Sequence, residues 1–254
     1  MDLVLASAGL LVAAPILLGI AVAMRRSGGR GPLLHRATRI GEDGRPFTLL
    51  KVRTMVVDHG GPRLTADSDP RVTPIGRRLR RLRLDELPQL INVIRGEMSL
   101  VGPRPEDPAY VDFSDPLHDR VFRAKPGITG LAQLEFHDEA RLMTGEDPDR
   151  RYREVVLPAK LRLDAEYLDR QSLALDVRIL LRTFLTVARG RRPSPEEGQE
   201  HAEAQTHDEP QDVVARIAAL TGAAELNELQ LRQLDQRRQD EPGDQQERPQ
   251  PSAR

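Results

Sequence analysis

The sequence predicts an α+β fold: a compact, mostly helical domain with one small β-hairpin, led by an apolar membrane helix and followed by a disordered tail. Three observations predict it. Residues 3–24 carry no charge, and as a helix they would be roughly 33 Å long, enough to enter or cross a bilayer. Residues 191–254 hold 8 basic and 14 acidic residues, no aromatic residue, and many Gln, Pro and Glu, a composition that buries too little apolar surface to fold. Between them, apolar residues recur mainly at helical spacing, with a single tight-turn signal for a hairpin. The chain therefore divides into 1–27 as membrane helix, 28–190 as the folded domain and 191–254 as tail.

Charge divides the same way. The tail holds −6 of a total of −1, which leaves +5 on residues 1–190, and residues 25–104 alone carry 17 Lys or Arg against 8 Asp or Glu. A basic body beside an apolar segment suits lipid headgroups, phosphates or nucleic acid. With no Trp, 3 Tyr and 5 Phe, the stacking platforms that single-stranded nucleic acid needs are scarce, so nucleic acid is not an expected partner. The absence of cysteine excludes disulfides and thiolate chemistry, and it fits a cytoplasmic domain.

The apolar segment begins with Asp2 and no cation, which argues against a secretory signal. Arg25, Arg26 and Arg30 follow it and place the downstream domain on the cytoplasmic face of the inner membrane. Pro15 removes a backbone donor in mid-segment and kinks the helix; a spanning and a re-entrant course both fit these residues. After a Gly-rich linker, strands near Leu33–Ile40 and Pro46–Met55 flank Glu42-Asp43-Gly44, a tight-turn sequence. A loop of Gly, Pro and Asp covers 58–72. Thr73 reads as an N-cap with Pro74 at the first helical position, opening a helix to about Arg83. A second helix starts near Glu86, buries Leu87, Leu90, Ile91 and Ile94, and ends at Gly96. Residues 125–133 read as a turn-rich loop. A long helix from about Pro148 to Gln171 has a stripe of Leu157, Leu161, Ala165 and Leu168, and a last helix over Leu175–Arg189 carries Val177, Leu180, Leu181, Phe184, Leu185 and Ala188 opposite arginines. That last helix fits either the core or the headgroup plane. In the tail, Val213–Leu234 has helical spacing and reads as a partner helix or as a transient helix in a disordered segment.

The chemistry concentrates at residues 80–106, where Asp85 and Glu86 lie between Arg80, Arg81, Arg83 and a Gly-Pro-Arg-Pro turn. A carboxylate at a helix start is most often a cap. Beside arginines it also stays ionised, as a nucleophile or metal ligand must. A carboxylate can attack phosphorus and form an acyl phosphate, the developing charge being met by arginines and a divalent cation. A second hard oxygen ligand, Glu86, suits Mg²⁺.

Six ordered blocks share a pattern: the apolar segment, Gly31-Pro32, Lys51-Val-Arg-Thr-Met, Asp85-Glu-Leu-Pro-Gln-Leu-Ile-Asn, Gly96-Glu-Met-Ser-Leu-Val-Gly-Pro-Arg-Pro, and Lys125-Pro-Gly-Ile-Thr-Gly running on to Asp176. Over about residues 3–190 the chain resembles the bacterial sugar transferases that are monotopic phosphoglycosyl transferases. The resemblance implies Mg²⁺-dependent transfer of a sugar phosphate from a nucleoside-diphosphate sugar, a UDP-sugar by expectation, to polyprenyl phosphate at the bilayer, at the start of exopolysaccharide or glycoconjugate synthesis. It implies that Asp85 is the nucleophile and forms a covalent phosphosugar, and that Glu86 helps Asp85 hold Mg²⁺. By the same resemblance Lys51, Arg80 and Arg104 contact phosphates, Pro103 and Pro105 shape the nucleotide pocket, and Pro15 is the kink of a re-entrant helix. The chain departs from the family twice. Ala14 stands where a serine usually precedes the kink proline, and Leu134-Glu-Phe-His-Asp-Glu139 replaces an Asn-Gly-Arg type segment, leaving His137 or Arg141 as stand-ins for a phosphate-binding arginine. Two rival readings stay open: direct attack by the lipid phosphate with Asp85 as base or metal ligand, and a membrane-anchored module that binds anionic lipid or nucleic acid without catalysis. The sugar is not legible, and a homo-oligomer is neither required nor excluded.

Overall fold

The structure, a computed structural model, describes residues 1–27, 31–56, 69–136 and 147–189, all within the unit Met1–His207. The Val213–Leu234 segment, His137 and Arg141 lie outside the described residues.

Helix α1 (Asp2–Arg26) runs through Pro15 and is long and apolar enough to cross a membrane. It lies along the domain rather than apart from it. Ala6, Ala13 and Ile20, seven residues apart, form its buried seam, because seven residues make nearly two turns. At the start of the helix the Asp2 carboxylate accepts a 2.6 Å hydrogen bond from Ser99 Oγ, and Ala6 is fully buried in a cluster with Leu49, Val93, Met98, Leu100, Tyr167 and Ile179. Near its end, Ile20 packs with Val52 and Leu79. Leu3, Val4, Leu11, Val12 and Leu18 face outward.

The expected hairpin is present as β1 (Leu34–Ile40) and β2 (Pro46–Val52), antiparallel, with Leu34 opposite Val52 and Ile40 opposite Pro46. Asp43 and Gly44 take the positive φ values of 57° and 72° that tight reversal needs, which Asp and Gly tolerate best. Helix α2 (Pro74–Arg81) starts as expected, with Thr73 Oγ1 accepting the Gly76 N–H. The next helix starts later than the sequence suggests: Leu84–Glu86 is a 3₁₀ turn and α3 is Gln89–Ile94. Gly96, at φ 78°, ends it. Asn92 joins α3 to the free edge of β2: its Oδ1 accepts the Leu50 N–H, and its Nδ2 donates to the Thr48 carbonyl and to Glu97.

The turn-rich loop at 125–133 contains a strand. β3 (Ser99–Val101) pairs in parallel with β4 (Gly127–Thr129), and α4 (Pro116–Phe122) lies in the crossover. The pairing continues past the strands, with Gly102 N–H on the Thr129 carbonyl and Gly127 N–H on the Pro103 carbonyl. A Cβ on Gly127 would run into the Gly102 backbone, so the approach depends on glycine. α5 (Leu131–Glu135) follows. The long helix is observed as α6 (Pro148–Arg151), a π turn over Tyr152–Val156, and α7 (Leu157–Arg170). Pro158 has no N–H to give the Glu154 carbonyl, and the neighbouring Leu157 N–H reaches back five residues to Tyr152. α8 (Leu173–Arg189) packs on the core by one face, where Ile179 is buried and Thr183 Oγ1 meets Thr129 Oγ1 at 2.7 Å, while Val177, Leu181, Phe184 and Leu185 stay exposed.

Candidate active site

The acidic pair is presented by a strained turn. After α2, Arg83 adopts a left-handed conformation at φ 52°, costly for a residue with a Cβ, and it turns the chain into the Leu84–Glu86 3₁₀ segment. Asp85 therefore does not stand at the start of an α-helix and makes no capping bond, which corrects the capping reading. It is buried at 8% exposure within the turn.

Cations reach the pair from separate elements. Lys51, near the end of β2, places Nζ 3.5 Å from Glu86 Oε1, and Arg83 Nη1 lies 3.5 Å from Glu86 Oε2. Arg80, on the last turn of α2, donates from Nε to Thr54 Oγ1 at 2.8 Å and lies in the field of Asp85. Arg104, in the turn after β3, acts on both Glu86 and Lys51. Of the charged residues read from the sequence, Glu86, Lys51 and Arg80 thus act on Asp85, and Arg104 acts on Glu86 and Lys51 beside it. Pro103 and Pro105 are buried on either side of Arg104, where their fixed φ stiffens the segment. Pro15 is exposed on α1. Pattern reading missed Thr54 and Asn92. The signal for Asn92 was available, since it is a polar residue inside the apolar run Leu90–Ile94.

The two carboxyls are pushed in opposite directions. Burial raises Asp85, and the Glu86 charge beside it raises it further, against the pull of Lys51 and Arg80. Burial would raise Glu86 as well, but Lys51, Arg104 and Arg83 overcome it and hold that carboxyl at about 2. Burial also lowers Lys51, with Glu86 opposing. Lys51 and Arg80 thus favour the ionised form of Asp85 without offsetting its burial and the charge of Glu86, which takes the ion pairs, so Asp85 carries the strain of a buried carboxylate beside a second one.

That strain is what a divalent cation relieves. Among the described residues no three His, Cys, Asp or Glu gather as a self-sufficient metal site, and Asp85 with Glu86 supply two hard oxygen donors. Mg²⁺ is commonly bound by one or two carboxylates together with substrate phosphates and water, so the donor set fits Mg²⁺ bound jointly with a phosphorylated substrate.

The site is thus an acidic pair, Asp85 and Glu86, with Lys51, Arg80, Arg83 and Arg104 around it, on a small α+β domain that has along one side a helix long and apolar enough to cross a membrane. The model of the bacterial sugar transferase family matches residues 1–190. The chain is 43% identical over 189 residues to the undecaprenyl-phosphate glucose phosphotransferase of Komagataeibacter xylinus, covering 71% of this chain and 33% of that protein. It is 40% identical over 188 residues to the UDP-glucose:undecaprenyl-phosphate glucose-1-phosphate transferase of Caulobacter vibrioides, covering 72% of this chain and 66% of that protein. With the exopolysaccharide production protein ExoY of Rhizobium meliloti the identity is 34% over 208 residues, covering 75% of this chain and 84% of that protein. This chain belongs to the bacterial sugar transferase family. It spans a third to two thirds of the length of the first two relatives.

Proposed function

We propose that the protein transfers a sugar phosphate from a nucleoside-diphosphate sugar, a UDP-sugar on the pattern of its relatives' names, to polyprenyl phosphate at the cytoplasmic face of the inner membrane. The observation that carries this reading is the buried Asp85 beside a largely covered Glu86 inside a ring of cations. Asp85 Oδ attacks the phosphorus that bears the sugar. The bond from that phosphorus to the bridging oxygen breaks, and nucleoside monophosphate leaves with the electron pair. An oxygen of the lipid phosphate then attacks the same phosphorus, which frees the Asp85 carboxylate and forms the polyprenyl-diphosphate sugar. Lys51, Arg80 and Arg104 bind and orient the phosphates and meet the charge that develops on them. Asp85 and Glu86 would hold Mg²⁺, whose positive charge neutralises the diphosphate and favours the ionised form of Asp85.

The course of α1 supports a re-entrant or in-plane membrane attachment. Both Asp2 and Ile20 contact the same domain, about 27 Å apart along the helix, so the two ends share one side of the bilayer. The exposed residues of α1 and α8 supply the apolar surface.

The test is intact-protein mass spectrometry with Mg²⁺ and a panel of UDP-sugars, beginning with UDP-glucose, in the absence of lipid. Active wild-type protein gains one phosphosugar, while Asp85→Asn folds, gains nothing and does not turn over. Turnover with sequential kinetics and no adduct would instead establish direct attack by the lipid phosphate, with Asp85 as ligand or base. Absence of metal-dependent nucleoside monophosphate release with every donor would leave the non-catalytic lipid-binding module.

A further inference from the structure

Four polar or charged side chains are buried together beneath the Pro103–Glu106 segment, outside the acid–cation cluster: Glu106, Tyr152, Lys160 and Asp164. The Tyr152 hydroxyl donates to Glu106 Oε2 at 2.6 Å, Lys160 Nζ donates to the Tyr152 oxygen at 2.9 Å, and Lys160 lies 3.7 Å from Glu106. Asp164 lies beside the Arg104 backbone, and its Oδ1 has no hydrogen-bond partner. Such a group is expensive: each buried charge loses hydration worth several kcal/mol, by order of magnitude, and a well-packed apolar set would serve stability as well. The helix that carries them is also built around them, since the π turn begins at Tyr152 and Lys160 and Asp164 sit one turn apart on the buried side of α7.

All of these contacts end on one short stretch. Asp164 lies against the backbone of Arg104. Glu106 is held from α7 and the π turn by its side chain, and from β1 by the Ile40 N–H on its carbonyl at 3.0 Å. On the other side, Gly127 N–H holds the Pro103 carbonyl at 2.8 Å, and Pro103 and Pro105 fix φ on each side of the arginine. From this held segment the Arg104 guanidinium acts on Glu86 and Lys51.

We infer that Asp164, with the Glu106–Tyr152–Lys160 chain, is a positioning unit for Arg104: it fixes the backbone from which the guanidinium is aimed at the donor's phosphates and touches no substrate itself. This rests on Arg104 being a phosphate-contacting residue, as proposed above. Burial raises the Asp164 carboxyl to about 7, and either protonation state keeps an oxygen beside the Arg104 backbone.

The experiment combines kinetics with hydrogen exchange on full-length protein in detergent. Asp164→Ala removes the carboxyl oxygens, Asp164→Asn keeps one oxygen without the charge, and Tyr152→Phe cuts the link from Lys160 to Glu106 while keeping the ring. In the wild-type background Asp164→Ala is expected to raise the donor KM and lower kcat/KM by about tenfold or more, and Tyr152→Phe to act in the same direction by about threefold. Asp164→Asn is expected to stay within about threefold of wild type. In an Arg104→Ala background the extra loss from either damaging change is expected to fall below about twofold, because the group being positioned is gone. Exchange of the peptide containing Arg104 is expected to speed up in Asp164→Ala and Tyr152→Phe with the rest of the domain unchanged. This readout needs no turnover, so it decides the positioning claim even if the wild type transfers no sugar phosphate. Losses that are as large without Arg104 as with it, or wild-type exchange at that peptide in both folded variants, would overturn the inference. Should Asp164→Ala not fold, Tyr152→Phe alone carries both readouts.

Discussion

Replacing Asn92 by Leu should weaken the join between the hairpin and the acidic turn. Asn92 is fully buried and serves as a third strand for the edge of β2, taking the Leu50 N–H at 3.1 Å and giving to the Thr48 carbonyl at 2.8 Å and to Glu97 at 2.6 Å. Leucine has similar volume and no polar atom. The Leu50 N–H then stays buried without a partner, at about 1–3 kcal/mol, and the charge-assisted bond to Glu97 is lost, at about 1.5–3 kcal/mol. Thr48 is exposed, so its carbonyl turns to water at little cost. Burying an apolar side chain in place of an amide returns about 1–2 kcal/mol. The net loss is about 2–4 kcal/mol, below the roughly 5–15 kcal/mol that keeps a domain folded, so Asn92→Leu should fold. For a domain of this size the melting temperature should drop by about 5–15 °C, read by near-UV circular dichroism in detergent. Because β2 carries Lys51 to Glu86, kcat/KM should fall well below the melting temperature too. A variant that melts within about 2 °C of wild type would refute the idea that this amide ties strand to helix.

Three further outcomes are expected. Glu86 is held at about 2 against an ordinary 4.5, so its interactions stabilise the fold above about pH 4.5 and are lost as pH falls toward 2; Asp85, shifted upward, acts in the opposite sense. Glu86→Gln should therefore flatten the acid limb of a stability profile in the metal-free protein and abolish Mg²⁺-dependent turnover, and an unchanged acid limb would contradict the assigned ion pairs. Cysteines introduced singly at Asp2 and Ser27, in a chain that has none, should both resist an impermeant thiol reagent added to intact cells; labelling at Asp2→Cys alone would mean that α1 spans. The family match stops at residue 190, so deleting 191–254 should leave turnover within about threefold, whereas a loss of orders of magnitude would bring the tail into the catalytic unit.

What was legible in the sequence is what local chemistry decides. Thr73 with Pro74 specifies a helix start by its own hydroxyl and ring, and Asp43-Gly44 specifies a reversal by the φ values these residues accept. The composition of residues 80–104 marks a cluster of cations around two acids, because so many charges have no use in a core. What was hidden is decided across distance. β3 and β4 are three residues each, too short for alternation to register, and they exist through Gly102 and Gly127, which read only as turn formers. Asp85 looked like a cap because the sequence before α3 has the right residues; Arg83 in a left-handed conformation moved the turn, and no local preference predicts that. Lys160 and Asp164 were hidden in plain order, as they occupy the third and seventh places after Leu157, on the stripe that the apolar residues define. Charges on an apolar stripe are a readable sign of a buried polar group.

The seam on α1 also has a consequence in time. Ala6 is completed as a packed residue only by Tyr167 and Ile179, which leave the ribosome some 160 to 170 residues later. At about 5–20 residues per second the first helix waits roughly ten to thirty seconds for its own domain. During that interval its whole circumference, seam included, is bare hydrocarbon in search of a solvent. A bilayer met early would offer one, and the domain would then have to assemble onto a helix already immersed. Lipid attachment in this chain is thus expected to precede folding, and synthesis without membranes to yield aggregate rather than a soluble intermediate.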